Sequence, residues 1–391
     1  MPSPDRSDAC DAIDPIAAWA SSGAMALTGR PDGPPLAAGG RAAAWVQEQL
    51  AQLGLSIPGL LGERAAYAGL RRNAPWSCGG AFRILPTKDG YVGLSLARPS
   101  DVELIPALIE APEAGPDPWA AVATWLADTT SAEAEARIRL LALPGGSVTA
   151  ASAAAAPERS GVTVETYGAA RRSPAEGRPL VVDLTSLWAG PLCAHLLGLR
   201  GARIVKVESR QRPDGARLGP AGFFNLLHAG HEQISFDLTT ELDQLRALIA
   251  DADLVLEASR PRALRQLGLI AEETVTAGTT WLSITAHGRA SEAVGFGDDV
   301  AASAGLIAVD GAVPVPAGDA IADPLTGVAS AVAAAAALAS GEARLIDVSM
   351  LHVAANLAGP VPEHTVSRRG DRWQVEYAGG AATVADPKIR P

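Results

Sequence analysis

Lysine is almost missing from this chain: Lys88, Lys206 and Lys388 are the only three in 391 residues, and the net charge is −11. Gripping nucleic-acid phosphates or an anionic bilayer takes clustered Lys and Arg, so neither a nucleic acid nor a membrane is an expected partner. Cysteine is scarce too. Cys10, Cys78 and Cys193 are too few and too scattered for a disulfide framework or a zinc cage, so no metal is implied and a reducing, cytoplasmic setting is expected. The opening Met-Pro-Ser-Pro-Asp-Arg-Ser-Asp has acid where a signal peptide has base, and no apolar core follows, so no leader is expected. The apolar run after Asp323 falls short of the roughly 20 residues that span a bilayer and reads as a buried helix. A hydrophobic content of 48% excludes wholesale disorder, and the length suffices for two or three domains with sizeable cores.

Residues 1–58 read as a helical segment, with a helix over Arg41–Leu53 in which Trp45, Leu50 and Leu53 fall at helical spacing. Its Ser22–Pro35 loop is echoed by Ser303–Pro316, either as a degenerate repeat or as an unrelated Gly/Pro turn. Residues 59–144 read as a small α+β domain: a hairpin from Phe82–Thr87 and Tyr91–Leu96 around Lys88-Asp-Gly, then helices from Ser100, Trp119 and Ser131. The Ser100-Asp-Val-Glu103 spacing is that of a capping box. Residues 145–177, rich in Ala, Ser and Pro, read as a linker with one short strand at Val162–Glu165. From 178 to 360 apolar runs alternate with helical stretches, with strands expected at Leu180–Leu184, Ala202–Glu208, Gln233–Leu238, Asp253–Leu256, Trp281–Thr285 and Ile346–Ser349. That pattern predicts an α/β, doubly wound, mostly parallel sheet with ligands at the carboxyl ends of its strands. Residues 361–391 are left as a C-terminal tail.

A parallel sheet whose second strand ends in Glu208 suggests a dinucleotide fold, with the acid on a ribose. The loop after the first strand, Thr185-Ser-Leu-Trp-Ala-Gly-Pro, lacks the three spaced glycines that let backbone approach a pyrophosphate, so no NAD is expected.

Asp323 stands directly before Pro324 at the head of a small-residue helix, which makes it a natural N-cap. The segment Ala317-Gly-Asp-Ala-Ile-Ala-Asp-Pro-Leu-Thr-Gly, together with Val181-Val-Asp-Leu-Thr, Ala189-Gly-Pro-Leu-Cys, Gly201-Ala-Arg-Ile-Val-Lys-Val-Glu, Asp253-Leu-Val-Leu-Glu, Arg260-Pro, Leu267-Gly-Leu, Ser283-Ile-Thr and Asp347-Val-Ser, resembles the family III CoA-transferases. That group includes formyl-CoA and carnitine CoA-transferases and α-methylacyl-CoA racemase. The small domain here precedes the sheet domain it follows in the family, so the order looks permuted or fused.

The resemblance implies that Asp323 attacks an acyl-CoA and carries CoA as an aspartyl thioester, that coenzyme A enters as acyl-CoA, that a carboxylic acid is the acceptor, and that the protein is a homodimer. It places Ser186, Trp188 and Ala189 in one CoA-contacting loop and Arg260 and Pro261 in another. At an ordinary pKa near 4, Asp323 is ionised at neutral pH and needs no partner base. The family's basic Asn-Arg-Gly-Lys-Arg stretch is represented here by His228-Ala-Gly-His-Glu232, with Arg210, Arg212, Arg217, Arg262 and Arg265 as compensating cations or plain surface groups. The racemase branch needs a His–Asp pair, and no His stands in Gly295-Phe-Gly-Asp-Asp299. There Asp298 or Asp299 is either an auxiliary carboxylate or a helix cap. His287 is either site-lining or a loop residue, and His195 packing or surface. Transfer of CoA through Asp323 is thus the leading reading. A catalytically degenerate relative that binds CoA esters or a partner chain is the alternative, and a racemase the weaker one.

Overall fold

The computed structural model describes residues 13–150, 160–172 and 177–390. Cys10 and the opening residues on which the leader expectation rests lie outside them.

The centre is a seven-stranded sheet. Its strands are β4 (Val162–Ala169), β5 (Leu180–Asp183), β6 (Arg203–Ser209), β7 (Glu232–Phe236), β8 (Leu254–Glu257), β9 (Thr280–Thr285) and β12 (Glu342–Ser349), in the spatial order β4-β12-β9-β8-β5-β6-β7. All neighbours run parallel except β4, which pairs antiparallel with β12 at the edge. Leu180-Val-Val-Asp, Leu254-Val-Leu-Glu and Thr280–Thr285 are buried at every position, as strands covered on both faces require. Successive side chains serve opposite layers. Val181, Leu254, Leu256, Leu282 and Ile346 join one core with the helices Ala189–Leu199 and Ala322–Ser340, while Val182, Val205, Val255 and Trp281 join a second with Leu245 and Ile249 of the helix Leu242–Asp251.

The 59–144 unit has the hairpin β1 (Phe82–Pro86) and β2 (Tyr91–Ser95), in antiparallel register from Phe82↔Ser95 to Pro86↔Tyr91. Its helix after the hairpin starts earlier than the Ser100 spacing suggests. Pro99 takes the first helical position, and Asp101 rather than Glu103 accepts the backbone N–H of the cap residue Arg98 at 2.8 Å. The linker expectation also needs correcting. Gly145–Ser147 forms β3 beside β2, and Val162–Ala169 is a full eight-residue edge strand, its Val-Thr-Val-Glu-Thr-Tyr run being rich in strand formers. Residues 151–159 and 173–176 of that stretch lie outside the described residues.

The N-terminal helices Pro15–Ser21 and Ala42–Gln52 pack into the first sheet core, contributing Ile16, Trp19, Val46 and Leu50. The two echo segments touch where Arg30 pairs with Asp310, and just beyond the later one the N–H of Gly318 donates to Thr28 Oγ1 at 2.8 Å. Their local forms differ. The later copy makes the small hairpin β10 (Ala308–Asp310) and β11 (Val313–Val315), while the earlier makes a single turn of 3-10 helix at Met25–Leu27. A meander of β13 (His364–Arg369), β14 (Arg372–Tyr377) and β15 (Gly380–Thr383) follows β12 and its helix Met350–Leu357.

Candidate functional site

The carboxyl ends of β5 and β8 lie side by side, and the two loops expected to serve a ligand leave from them. The loop after β5 is held from below by Lys206. Fully buried on β6, its ammonium donates to the carbonyl of Thr185 and to Asp214 Oδ2 at 3.0 Å, with Asp183 Oδ2 at 3.9 Å. The other oxygen of Asp214 accepts the N–H of Leu187 at 3.0 Å, fixing Leu187 at φ +71°, a left-handed conformation that side chains beyond glycine rarely hold unaided. Ser186 is thereby exposed at the loop tip, while Trp188 and Ala189 turn inward and are buried. Trp188 meets Phe223 edge-on at 5.5 Å. Arg260 is exposed at the end of the β8 loop, and Pro261 opens the helix Pro261–Gln266, its side chain lying outside the described ones. Glu208 is not a free ribose ligand: Arg217 and the N–H of Asp214 occupy it.

Asp323 reaches the same mouth from the helix Ala322–Ser340. Gly327, one turn on, lies against Ala189, where an added Cβ would stand 2.7 Å from the Ala189 carbonyl oxygen. Residues four apart share a helix face, so this close crossing points Asp323 toward the β5 loop. The N-cap reading is overturned: Ile321 is the cap residue, Asp323 sits in the first turn with its own N–H bonded to Ala320 O, and its carboxylate does not cap its own helix. Instead Asp323 Oδ2 accepts the N–H of Gly297, at 3.2 Å, from the start of the helix Gly297–Ser303. Only glycine fits there, since a Cβ would stand 2.4 Å from that oxygen and 2.2 Å from Ala320 O.

Around Asp323 is a set of acids with one guanidinium. Asp298 accepts the N–H of Ala320 at 2.9 Å, and the Ser77 hydroxyl, which has no other partner among the described residues, lies within its reach. Asp299 accepts the N–H of Phe296 and the hydroxyl of Ser95, at 2.7 Å, and so ties the small unit to the Gly297 turn. Neither acid is the cap residue, which is Phe296. Asp319 is fully buried and takes Arg64 in a forked pair, Nε to Oδ2 at 2.9 Å and Nη2 to Oδ1. The Arg64 guanidinium also stands 5.1 Å from the centre of the Trp188 ring.

Burial pushes the Asp323 carboxyl up to about 7, with Arg64 pulling down and Asp298 and Asp319 pushing up. Asp323 is half-buried by surface area but crowded by protein on all sides, and the crowding governs its titration. The expectation of an ordinary carboxylate near 4 is therefore wrong. Burial raises Asp298 and Asp299 to about 7 as well, Asp298 with a further push from Asp319. The three acids are thus poised near neutrality, and the charge of Asp298 is one of those that push Asp323 up.

The basic stretch is weak in fact as in sequence. His228 is buried with neither ring nitrogen bonded among the described residues, and burial pushes its imidazole down to about 4. Of the compensating cations, Arg210, Arg217, Arg262 and Arg265 each pair with a glutamate. His287 is half-buried beyond the end of β9, and His195 is buried beside His231. No motif in the sequence marks Arg64, Asp319, Ser77 or Gly297 as a site residue. Gly297 lay within a segment already of interest, whereas Arg64, in the helix Glu63–Ala68, carries no motif.

The chain is 29% identical over 216 residues to the succinyl-CoA–D-citramalate CoA-transferase of Chloroflexus aurantiacus, covering 49% of this chain and 54% of that one. It is 30% identical over 217 residues to the succinate–glutarate CoA-transferase of Agrobacterium fabrum, covering 48% and 54%. The chain spans about half the length of the curated relatives it matches. A CaiB/BaiF family protein from Brucella suis, of known crystal structure, superposes with a TM-score of 0.47 at 24% identity, covering 51% of this chain and 65% of that one. Residues 179–382, from the strand before the Trp188 loop, past the helix that carries Asp323 and into the C-terminal meander, match the profile of CoA-transferase family III, and with more than half of its length accounted for in this way the chain belongs to that family.

Proposed function

We propose that the protein moves CoA between an acyl-CoA and a carboxylic acid, with Asp323 as the covalent carrier. A carboxylate oxygen of Asp323 attacks the thioester carbon, giving a mixed anhydride and releasing CoA thiolate. The thiolate attacks the Asp323 carbonyl of that anhydride, expelling the donor acid and leaving an aspartyl-CoA thioester. The acceptor carboxylate then attacks this thioester, a second anhydride forms, and the returning thiolate takes the acceptor acyl group and frees Asp323. Covalent exchange divides one hard displacement into acyl transfers between carboxyl groups of similar reactivity.

The observation that carries this reading is the setting of the Asp323 carboxylate: half-buried, held by the Gly297 N–H and raised by burial to about 7. A carboxylate of that basicity is a better nucleophile than one near 4, yet still about half ionised at neutral pH. In this reading Ser186, Trp188 and Ala189 line one side of the CoA path, and Arg260 with Pro261 the other, both at strand ends where ligands of open α/β sheets bind. Succinyl-CoA is the first donor to test, because the named relatives act on succinyl-CoA or succinate.

The weak basic stretch favours a second reading, a chain that binds CoA esters without transferring them. One experiment separates the two. Exchange of isotope-labelled succinate into succinyl-CoA is measured for the wild type and for Asp323→Asn, alongside CoA binding by calorimetry. The transfer reading expects exchange that vanishes in the variant while binding persists. Binding without exchange in the wild type supports the binder, and an Asp323→Asn protein that exchanges at the wild-type rate refutes the role of Asp323.

A further inference from the structure

A CoA acceptor is a carboxylate, and it must approach an Asp323 that is by then a neutral thioester but still has the acids Asp298 and Asp319 beside it. Like charges a few ångströms apart in a partly desolvated space repel strongly, so an anionic acceptor needs a cation to enter. Among the described residues the cation acting on both Asp323 and Asp298 is Arg64. Its guanidinium spends Nε and one N–H of Nη2 on Asp319. The remaining edge, centred on Nη1, donates no hydrogen bond to protein among the described residues. Arg64 keeps 30% of its side chain exposed, while Asp319 beneath it keeps 1%. Trp188 walls one side, and the Gly79 turn of the small unit closes another, an added Cβ there standing 3.7 Å from Nη2. An arginine anchored by one carboxylate, with a second donor edge that no described protein group takes, is built to take another carboxylate.

We propose that Arg64 binds the carboxylate of the acceptor acid, so that a residue outside the matched 179–382 region determines which acids enter the site. The thioester donor is neutral at its reacting carbon when it binds, and the carboxylate that arises in loading is the donor acid expelled from Asp323, which leaves by the path the acceptor enters. The inference rests on the transfer reading, because only there does a free acid have to meet a loaded Asp323.

Two variants test it. Arg64→Lys keeps the charge but loses the fork. Arg64→Gln with Asp319→Asn removes both members of the pair, so that no buried carboxylate is left unpaired and the fold survives, which a melting curve checks. The wild type and both variants are loaded with succinyl-CoA and freed of excess donor, and discharge of the thioester is followed against acceptor concentration. The half-saturating acceptor concentration is expected to rise about 10-fold to 100-fold in the double variant, the range of a lost charge-assisted hydrogen bond, and less in Arg64→Lys. Donor half-saturation in the loading step is expected to change less than about threefold. Unchanged acceptor dependence overturns the proposal, as does a donor half-saturation that rises as much as the acceptor's, which assigns Arg64 to donor binding. Equilibrium dialysis of labelled succinate against the unloaded proteins gives a readout independent of loading. Lost succinate binding in the double variant supports the role of Arg64, even where failure of the wild type to load counts against the transfer reading, and equal binding overturns it.

Discussion

Replacing Gly297 by alanine tests how tightly the site is built. The added Cβ would stand 2.2 Å from Ala320 O, 2.6 Å from its carbonyl carbon and 2.4 Å from Asp323 Oδ2. Ordinary contacts are about 3.5 Å, so something must move on the order of 1 Å. Two of the three contacts are backbone, and the backbone of Ala320 is held by the Asp298 carboxylate and by its carbonyl bond to the Asp323 N–H. The side chain of Asp323 is the softer element and is expected to swing away, giving up the Gly297 hydrogen bond. Overpacking of this kind costs about 1–3 kcal/mol of stability. A nucleophile displaced by about 1 Å loses roughly 100-fold in rate. Steady-state kinetics on Gly297→Ala with succinyl-CoA, with a melting curve beside it, therefore expects a modest stability loss and a large fall in kcat/KM. A variant that melts like the wild type and turns over within threefold of it refutes the tight contact between this turn and Asp323.

Asp298→Asn removes a like charge that raises the Asp323 carboxyl. The acid limb of the kcat/KM profile, expected near pH 7 in the wild type, should move to lower pH, and a limb that stays put or moves up contradicts the coupling. The raised acids also act on folding: folded Asp298, Asp299 and Asp323 hold protons between about pH 4 and 7 that the unfolded chain has released, so their contribution to stability falls as pH rises through that window, which denaturant midpoints at pH 5 and 7 can follow. Lys206→Met strands Asp183 and Asp214 in a buried place, and a loss of roughly 3–5 kcal/mol is expected by urea unfolding. A loss under 1 kcal/mol means those carboxylates find other partners.

The sheet was legible because its strands are continuous apolar runs. Leu180–Asp183, Leu254–Glu257 and Thr280–Thr285 were located to within a residue or two, since burial on both faces leaves little freedom of composition. Helix starts were less legible. Pro99 outcompeted Ser100 for the start of one helix, and Ile321 rather than Asp323 caps another. At the site, Asp323 stood out because its Pro-led, small-residue helix is a local pattern. Its protonation did not, because burial belongs to the neighbours and not to the segment. Arg64 was illegible for a stronger reason: it meets Asp319 across 255 residues of chain, through a contact that only the packing of the N-terminal segment on the sheet creates.

The claim on which the account turns is that a covalent bond forms at one carboxylate. The measurement is peptide mass spectrometry after the protein has been incubated with succinyl-CoA in the absence of acceptor and then reduced with borohydride. The account predicts a modified peptide carrying Asp323, absent from Asp323→Asn and discharged when acceptor acid is added before reduction. An unmodified Asp323 peptide from a preparation that is actively exchanging CoA contradicts it.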